Sequence, residues 1–214
     1  MGFDFLIYDL DGTLVDSLRD ITSSVNFVRE DSGLDFLSLN QVRSYIGSGI
    51  NALMSKAMPN DRGEDCKLNA VEMFKSHYVQ HLLDATVVFD GVKEMLDALK
   101  DKKKAVLTNK EEIYAREILK KLGIIDNFLE VWGGNTIGVR KPDPKTVLEI
   151  AKLTNSELSK SVMIGDSAND FLVAKAAGIA SIAVTYGYCD VDQIKKYEPN
   201  WVVKDPREIV DIVL

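Results

Sequence analysis

Cysteine is nearly absent from this chain of 214 residues. Its two cysteines, Cys66 and Cys189, lie far apart without a neighbouring thiol or histidine, so the sequence predicts neither a disulfide framework nor a zinc site. The chain also lacks the run of roughly 18 apolar residues that a membrane-spanning helix requires. Five aspartates occupy the first 20 positions, where an export signal would need a basic start and an apolar stretch. We therefore expect a cytoplasmic protein that does not enter a membrane.

Positive charge is in the minority, because 26 lysines and arginines stand against 33 aspartates and glutamates. The resulting net charge of −7 repels polyanions, so we expect no nucleic-acid partner. A small anionic substrate remains possible on this evidence, and the oligomeric state stays open. With 46% hydrophobic and 28% charged residues, the composition is that of a globular protein with a substantial core.

Two hydrophobic patterns divide the chain. An apolar run at residues 3–10 predicts a buried strand, whereas helical spacing dominates from residue 16 to 89 without a convincing strand. After residue 90, short apolar runs alternate with amphipathic stretches, as in a parallel sheet covered by helices. The sequence therefore predicts an α/β fold: a Rossmann-like parallel sheet core of residues 1–15 and 90–214 with an inserted α-helical cap domain of residues 16–89. The predicted strands are residues 3–10, 105–108, 128–133, 161–165, 180–185 and 201–203.

The carboxyl end of the first predicted strand and the loop that follows it carry two carboxylates, Asp9 and Asp11. In an open α/β sheet, ligands bind at the carboxyl ends of the strands, so this loop should border a binding crevice. Two like charges separated by one residue are tolerated most simply if a divalent cation binds beside them. The alternative is a solvated acidic turn that caps the next helix.

Later strand-end loops supply complementary groups. Thr108 and Asn109 follow the second strand, where a hydroxyl, an amide and backbone N–H groups can hold an anion. Lys141 follows Arg140 and precedes Pro142 and Pro144, which make this segment rigid. It can serve there as a fixed positive charge or remain on the surface. Asp166 and Asp170 stand four residues apart at a helix start, where they can ligate magnesium or simply cap the helix. Together these groups are the equipment of phosphoryl transfer.

The combination Asp9-x-Asp11-Gly12-Thr13, Thr108, Lys141 and Gly165-Asp166-x-x-x-Asp170 resembles the haloacid dehalogenase-like hydrolase superfamily. The resemblance covers the whole chain and is closest to the phosphatase branch with a helical cap inserted after the first loop. Within that branch the sequence is most similar to the phosphoglycolate phosphatases. The matching segments are residues 11–17, 47–49 and 186–188.

This resemblance implies a mechanism. Asp9 would attack phosphorus and form an aspartyl-phosphate, while Asp11 would protonate the leaving group and then activate water. Mg²⁺ would be held by the Asp9 carboxylate, the Asp11 main-chain oxygen and Asp166. Asp170 would belong to the same metal site, as a direct ligand, through a water molecule or by orienting its neighbours.

The resemblance also implies substrate-binding residues. Thr108, Asn109 and Lys141 would bind the phosphoryl oxygens, and Gly47 and Gly49 of the cap would lie near the rest of the substrate. For the two glycines, a plain break between two cap helices is an equally good interpretation. Arg43 or Lys56 are candidates to meet a carboxylate of the substrate.

Three functions remain open at this point. The first is a Mg²⁺-dependent phosphomonoesterase acting on a small phosphorylated metabolite of the phosphoglycolate type. The second is another phosphoryl-transfer activity on the same loops, either a sugar-phosphate mutase similar to β-phosphoglucomutase or a pyrophosphatase. The third is a binding module that kept the fold and lost turnover, which a complete set of acid, base, hydroxyl and lysine argues against.

Overall fold

The computed structural model of the chain describes residues 2–59 and 63–214. Six parallel strands form one sheet in the order β5-β4-β1-β6-β7-β8, and β2 and β3 form a separate antiparallel pair. The predicted α/β fold with a parallel sheet is confirmed. The strands are β1 Phe5–Tyr8, β2 Val15–Asp16, β3 Val87–Val88, β4 Lys103–Leu107, β5 Glu130–Trp132, β6 Ser161–Gly165, β7 Ala180–Val184 and β8 Trp201–Val203.

The central strand β1 is buried on both faces, as its uninterrupted apolar sequence predicts. Successive side chains of a strand point to opposite faces. Accordingly, Leu6 and Tyr8 pack into one hydrophobic cluster, whereas Phe5 and Ile7 pack into another on the other side of the sheet. This burial holds β1 in the middle of the sheet, and its carboxyl end therefore opens at the centre of the sheet edge.

Helices cover both faces of the sheet. Helices α7 and α8 supply Val147, Ile150 and Val173 to the cluster around Phe5 and Ile7. Helices α5, α6 and α10 pack with the opposite face, and the four helices α1 to α4 contribute to the same cluster. The helices are α1 Leu18–Asp31, α2 Leu39–Arg43, α3 Ile50–Ala57, α4 Glu64–Tyr78, α5 Val92–Ala98, α6 Glu112–Lys121, α7 Lys145–Leu153, α8 Ala168–Ala177, α9 Val191–Lys195 and α10 Glu208–Val213.

The expectation that no strand lies between residues 16 and 89 is wrong. Val15 pairs with Val88 and Asp16 with Val87, which ties together the chain segments that lead into and out of α1 to α4. A strand of two residues is too short to show the alternating pattern of a strand in the sequence, and the paired residues lie 71 or more positions apart. We refer to α1 to α4 with their connecting loops as the helical insert; the domain boundaries at residues 15 and 90 stay a prediction.

A buried aspartate reinforces this junction. The Asp20 carboxylate accepts hydrogen bonds from the backbone N–H groups of Ala85 and Thr86 and from the Thr86 hydroxyl, at 2.6–3.1 Å. These bonds join the first turn of α1 to the segment before β3. In the described part of the chain, no helix has both the length and the apolar character needed to cross a membrane.

Candidate active site

The loops after β1, β5 and β6 bring four predicted side chains to one place. Oxygens of Asp9, Asp166 and Asp170 lie within 4.8 Å of one another, and all three residues are buried. The Lys141 ammonium is 3.0 Å from Asp9 Oδ1 and 2.6 Å from Asp170 Oδ1. Because parallel strands end at the same sheet edge, residues more than 150 positions apart form one cluster.

The charges in this cluster are unbalanced, since three carboxylates face one ammonium group. Burial, together with the nearby Asp170 carboxylate, raises the pKa of Asp9 to about 6, although Lys141 opposes the shift. Burial together with the charges of Asp9 and Asp170 raises the pKa of Asp166 to about 8. Burial lowers the pKa of Lys141, but Asp170 and Asp9 outweigh this and raise it above its ordinary value. The cluster therefore has a deficit of positive charge.

Glycines pack directly against these carboxylates. A Cβ atom on Gly12 would overlap the Asp166 carboxylate, and one on Gly165 would overlap that of Asp170. Asp166 is held by the Tyr188 N–H, which donates to Oδ2 at 2.6 Å. A compact group of buried carboxylate oxygens with an excess of negative charge suits a hard divalent cation such as Mg²⁺. The residues present thus fit the metal that the sequence predicts.

Asp11 takes a different direction from the other predicted metal-site residues. Its carboxylate accepts from the Lys110 ammonium at 2.8 and 3.0 Å and from the Ser17 hydroxyl at 2.5 Å. Its side chain is therefore engaged outside the three-aspartate cluster, and its role as acid and base stays a prediction. A contribution of its main-chain oxygen to metal binding stays a prediction.

Lys110 is the principal residue that the sequence reasoning did not assign. It is only 8% exposed, and its ammonium lies 4.9 Å from the centre of the Tyr78 ring of α4. Burial lowers the pKa of Lys110, but the charge of Asp11 outweighs burial and raises it above the ordinary value. The sequence feature that could have identified Lys110 is its place beside Thr108 and Asn109 at a strand end, although an isolated lysine there is more often exposed.

The predicted anion-binding loop after β4 contacts both the core and the helical insert. Thr108 is buried, and its hydroxyl accepts from the Lys110 N–H at 3.3 Å. The Asn109 amide donates to the carbonyl oxygens of Gly47 and Lys141, at 2.9 and 3.0 Å. The Asn109 side chain thereby links a predicted phosphate site to a loop of the insert.

The insert loop between α2 and α3 is held against the core by its own backbone. The Gly47 carbonyl accepts a hydrogen bond of 2.9 Å from the Asn109 amide and another of 2.9 Å from the Asn169 amide. Gly47 and Gly49 have φ angles of +119° and +85°, which favour glycine. A Cβ atom on Gly49 would lie 3.1 Å from the Asn109 carbonyl oxygen. These predicted substrate-binding glycines thus form a contact between the insert and the core.

The two cations expected to meet a substrate carboxylate do not have equivalent positions. Arg43 donates to the carbonyl oxygens of Tyr188 at 2.5 Å and Gly187 at 2.8 Å, so it fastens α2 to the loop after β7. Lys56 lies 6.0 Å from the centre of the Tyr45 ring and does not border the cavity described next.

A cavity of about 600 Å³ separates the insert from the strand ends. The core side of its wall carries mostly polar groups, and the insert side carries both apolar and polar residues. The core residues include Asp9, Asp11, Thr108, Asn109, Lys110 and Asp166, and the insert residues include Ile21, Arg43, Gly47, Gly49, Leu53, Phe74 and Tyr78. The space thus borders the predicted nucleophile and the predicted acid together.

Comparison with known proteins identifies the class to which this fold and site belong. The family model of the haloacid dehalogenase-like hydrolases matches residues 6–184. The chain therefore belongs to the haloacid dehalogenase-like hydrolase family, and the resemblance stated from the sequence is confirmed.

Individual relatives refine this result. The chain is 34% identical to a phosphoglycolate phosphatase of Neisseria meningitidis, over 95% of this chain and 91% of the relative. It is 36% identical to a phosphoglycolate phosphatase of Colwellia psychrerythraea, over 97% and 95% of the two chains. A crystal structure of a predicted phosphoglycolate phosphatase from Haemophilus somnus superposes with a TM-score of 0.92 at 31% identity, covering 99% of this chain and 98% of that one. These relatives confirm the assignment to the phosphatases of the family.

Proposed function

We propose that this protein hydrolyses a small phosphate monoester of the phosphoglycolate type through an aspartyl-phosphate on Asp9, with Mg²⁺ as cofactor. The observation that carries the proposal is the placement of Asp9. Its carboxylate borders the cavity, lies 3.0 Å from the Lys141 ammonium and belongs to the three-aspartate cluster. Relatives that are named phosphoglycolate phosphatases support the substrate class.

In the first half-reaction, an Asp9 oxygen attacks phosphorus and the ester oxygen leaves. Lys141 stabilises the ionised form of Asp9, because its ammonium is buried and within ion-pair distance. The Leu10 N–H donates to Asp9 Oδ1 at 2.7 Å and helps to orient the carboxylate. The Thr108 hydroxyl is available to the phosphoryl oxygens, where a donor stabilises the charge of the transition state.

Asp11 completes both half-reactions. In its protonated form Asp11 gives its proton to the departing oxygen, and the carboxylate that remains then accepts a proton from the water that attacks the aspartyl-phosphate, which restores the acid. Each proton transfer is typically worth 10²- to 10⁴-fold in rate. The Ser17 hydroxyl and the Lys110 ammonium hold the Asp11 carboxylate in one orientation. This arrangement supplies the positioned acid and base that hydrolysis of an ester requires.

The Asp9, Asp166 and Asp170 side chains would hold Mg²⁺, with the Asp11 main-chain oxygen as a further ligand. When bound, the ion offsets the repulsion between the phosphate and the nucleophilic carboxylate. Asp170 also accepts from Lys141 and from the Ser167 N–H and hydroxyl. Asp170 therefore orients Lys141 in addition to any contact with the ion.

The test is phosphate release from phosphoglycolate and p-nitrophenyl phosphate in Mg²⁺ and in EDTA. We expect activity in Mg²⁺ alone and its loss in an Asp9→Asn variant, together with a phosphorylated Asp9 peptide in acid-quenched wild-type protein. An Asp4→Asn variant is the matched control, because Asp4 is exposed and lies outside the site. Equal rates in Mg²⁺ and EDTA, or a fully active Asp9→Asn variant, would contradict the proposal.

A substrate panel distinguishes the remaining activities. Interconversion of sugar phosphates with little phosphate release would indicate a mutase, and preferential cleavage of pyrophosphate would indicate a pyrophosphatase. Tight binding of phosphoglycolate without turnover by the intact protein would indicate a binding module.

A further inference from the structure

Among residues 2–59 and 63–214, two cationic side chains line the cavity between the insert and the strand ends, Arg43 and Lys110. The Arg43 guanidinium donates to two backbone carbonyl oxygens of the loop after β7 and is thereby committed to holding the insert. Lys110 is bound instead to a side chain of the proposed reaction, since both oxygens of the Asp11 carboxylate accept from it. The cavity thus has one cation placed beside the proposed acid.

Geometry limits what this ammonium can reach. A general acid must approach the ester oxygen to about 2.6–3.2 Å, and the Lys110 nitrogen is 2.8 Å from an Asp11 oxygen. A substrate group whose carbon is two bonds from the ester oxygen therefore falls within reach of the Lys110 nitrogen. An ammonium has three N–H donors, so it can bind a second anion while it keeps one bond to Asp11.

The surroundings of Lys110 disfavour an unpaired anion. The aromatic ring of Tyr78 covers one side of the ammonium, and Leu53 and Phe74 contribute apolar wall to the same cavity. A carboxylate that leaves water for such a wall is costly unless a cation and hydrogen-bond donors meet it. The phosphoryl side already has its own donors in Thr108 and Lys141.

We propose that Lys110 determines specificity by binding a carboxylate of the leaving group that is attached directly to the ester carbon. This inference rests on the proposed phosphatase function and narrows its substrate class to phosphate monoesters of small 2-hydroxy acids. Phosphoglycolate has this arrangement, and 2-hydroxyethyl phosphate is its analogue with an uncharged hydroxymethyl group in place of the carboxylate.

The test compares kcat/KM for these two substrates in the wild type and in Lys110→Met. We expect the wild type to prefer phosphoglycolate by about 10- to 100-fold, the range of a hydrogen bond to a charged group. In Lys110→Met the ratio should fall to within about threefold of one. Any damage to Asp11 lowers both rates by the same factor and cancels in the ratio, so the ratio isolates carboxylate recognition.

Arg43→Gln is the control, because it removes the other cation of the cavity. Its rates should fall for both substrates while the ratio is retained. Calorimetric titration of the two phosphate esters into Asp9→Asn, with and without Lys110→Met, gives a readout that is independent of turnover, and Lys110→Gln replaces Lys110→Met if the latter does not fold.

Several outcomes would overturn the inference. A wild-type ratio near one, or a ratio unchanged in Lys110→Met, excludes Lys110 as the carboxylate-binding residue. A ratio that collapses only in Arg43→Gln assigns that role to Arg43. Failure of the wild type to release phosphate from either ester would instead count against the proposed function itself.

Discussion

Asp166→Asn should make the metal-free protein more stable, even though it removes a buried hydrogen-bonding side chain. In the wild type, burial and the charges of Asp9 and Asp170 raise the pKa of Asp166 from its ordinary value of 3.8 to about 8. The folded chain therefore holds a proton that the unfolded chain releases between these two pH values. Stability must fall as the pH rises through this window. An asparagine keeps the shape, accepts from the same Tyr188 N–H and carries no charge to desolvate.

The size of the effect follows from the same shift. At pH 7 the penalty carried by Asp166 amounts to about 4 kcal/mol, which is an upper limit for the gain in Asp166→Asn. For a chain of this size each kcal/mol corresponds to about 2–4 °C in Tm. Mg²⁺ should reduce this advantage of the variant. At a free concentration 100-fold above Kd, a bound ion stabilises the wild type by about 2.7 kcal/mol, and the variant should gain less.

Scanning calorimetry and urea unfolding in EDTA, between pH 5 and 8, measure the first effect, and an MgCl₂ series measures the second. Asp4→Asn is the control, because its side chain is 59% exposed and pairs with surface lysines. It should respond to Mg²⁺ as the wild type does. The reasoning is refuted if Asp166→Asn is less stable than the wild type in EDTA at pH 7, or if both respond equally to Mg²⁺.

Asp20→Ala should lower the free energy of unfolding by about 3 kcal/mol in urea melts, because buried N–H donors lose their acceptor. The exposed Asp31→Ala in the same helix should cost less than about 0.5 kcal/mol, and equal losses would contradict the account. Asn169→Ala should raise KM about fivefold in steady-state kinetics with a smaller change in kcat, because the hydrogen bonds from its amide to Gly47 and Ser48 of the insert are lost; a loss confined to kcat would be inconsistent with this. In thermal melts Gly49→Ala should cost more than Gly33→Ala, since both have positive φ but only the Gly49 Cβ would press on neighbouring atoms. Equal losses of stability would mean that the strain of the positive φ angle alone determines the cost of each substitution.

The sheet could be predicted because its signals are local. The run around β1 is apolar at every position, and each later strand is bounded by a helical period or a turn. The pair of β2 and β3 could not be predicted in the same way. Its two residues per strand carry no period, and its stability comes from a partner at the other end of the helical insert.

The convergence of Asp9, Lys141, Asp166 and Asp170 was also predictable, for a topological reason. Each follows a strand that was recognised from the sequence, and parallel strands place the loops that follow them at one edge. Their chemical roles stay predictions. The position of the Asp11 side chain was not predictable from its motif. The motif places Asp11 two residues after Asp9, but it does not indicate that the Asp11 carboxylate pairs with Lys110 outside the three-aspartate cluster.

The sequence by itself determined the fold class, the order along the chain of the six strands of the parallel sheet, their strand-end loops and the resemblance to a family of hydrolases. Those features depend on residues close together in the chain or on short motifs that can be recognised from the order of residues alone. Only the tertiary structure showed that Lys110 forms an ion pair with Asp11 and that Asn169 donates a hydrogen bond to Gly47. It also showed that the Arg43 guanidinium donates to backbone carbonyl oxygens. Such pairings join residues from 99 to 145 positions apart, and a local pattern contains no information on which distant partner the folded chain will bring within hydrogen-bonding distance.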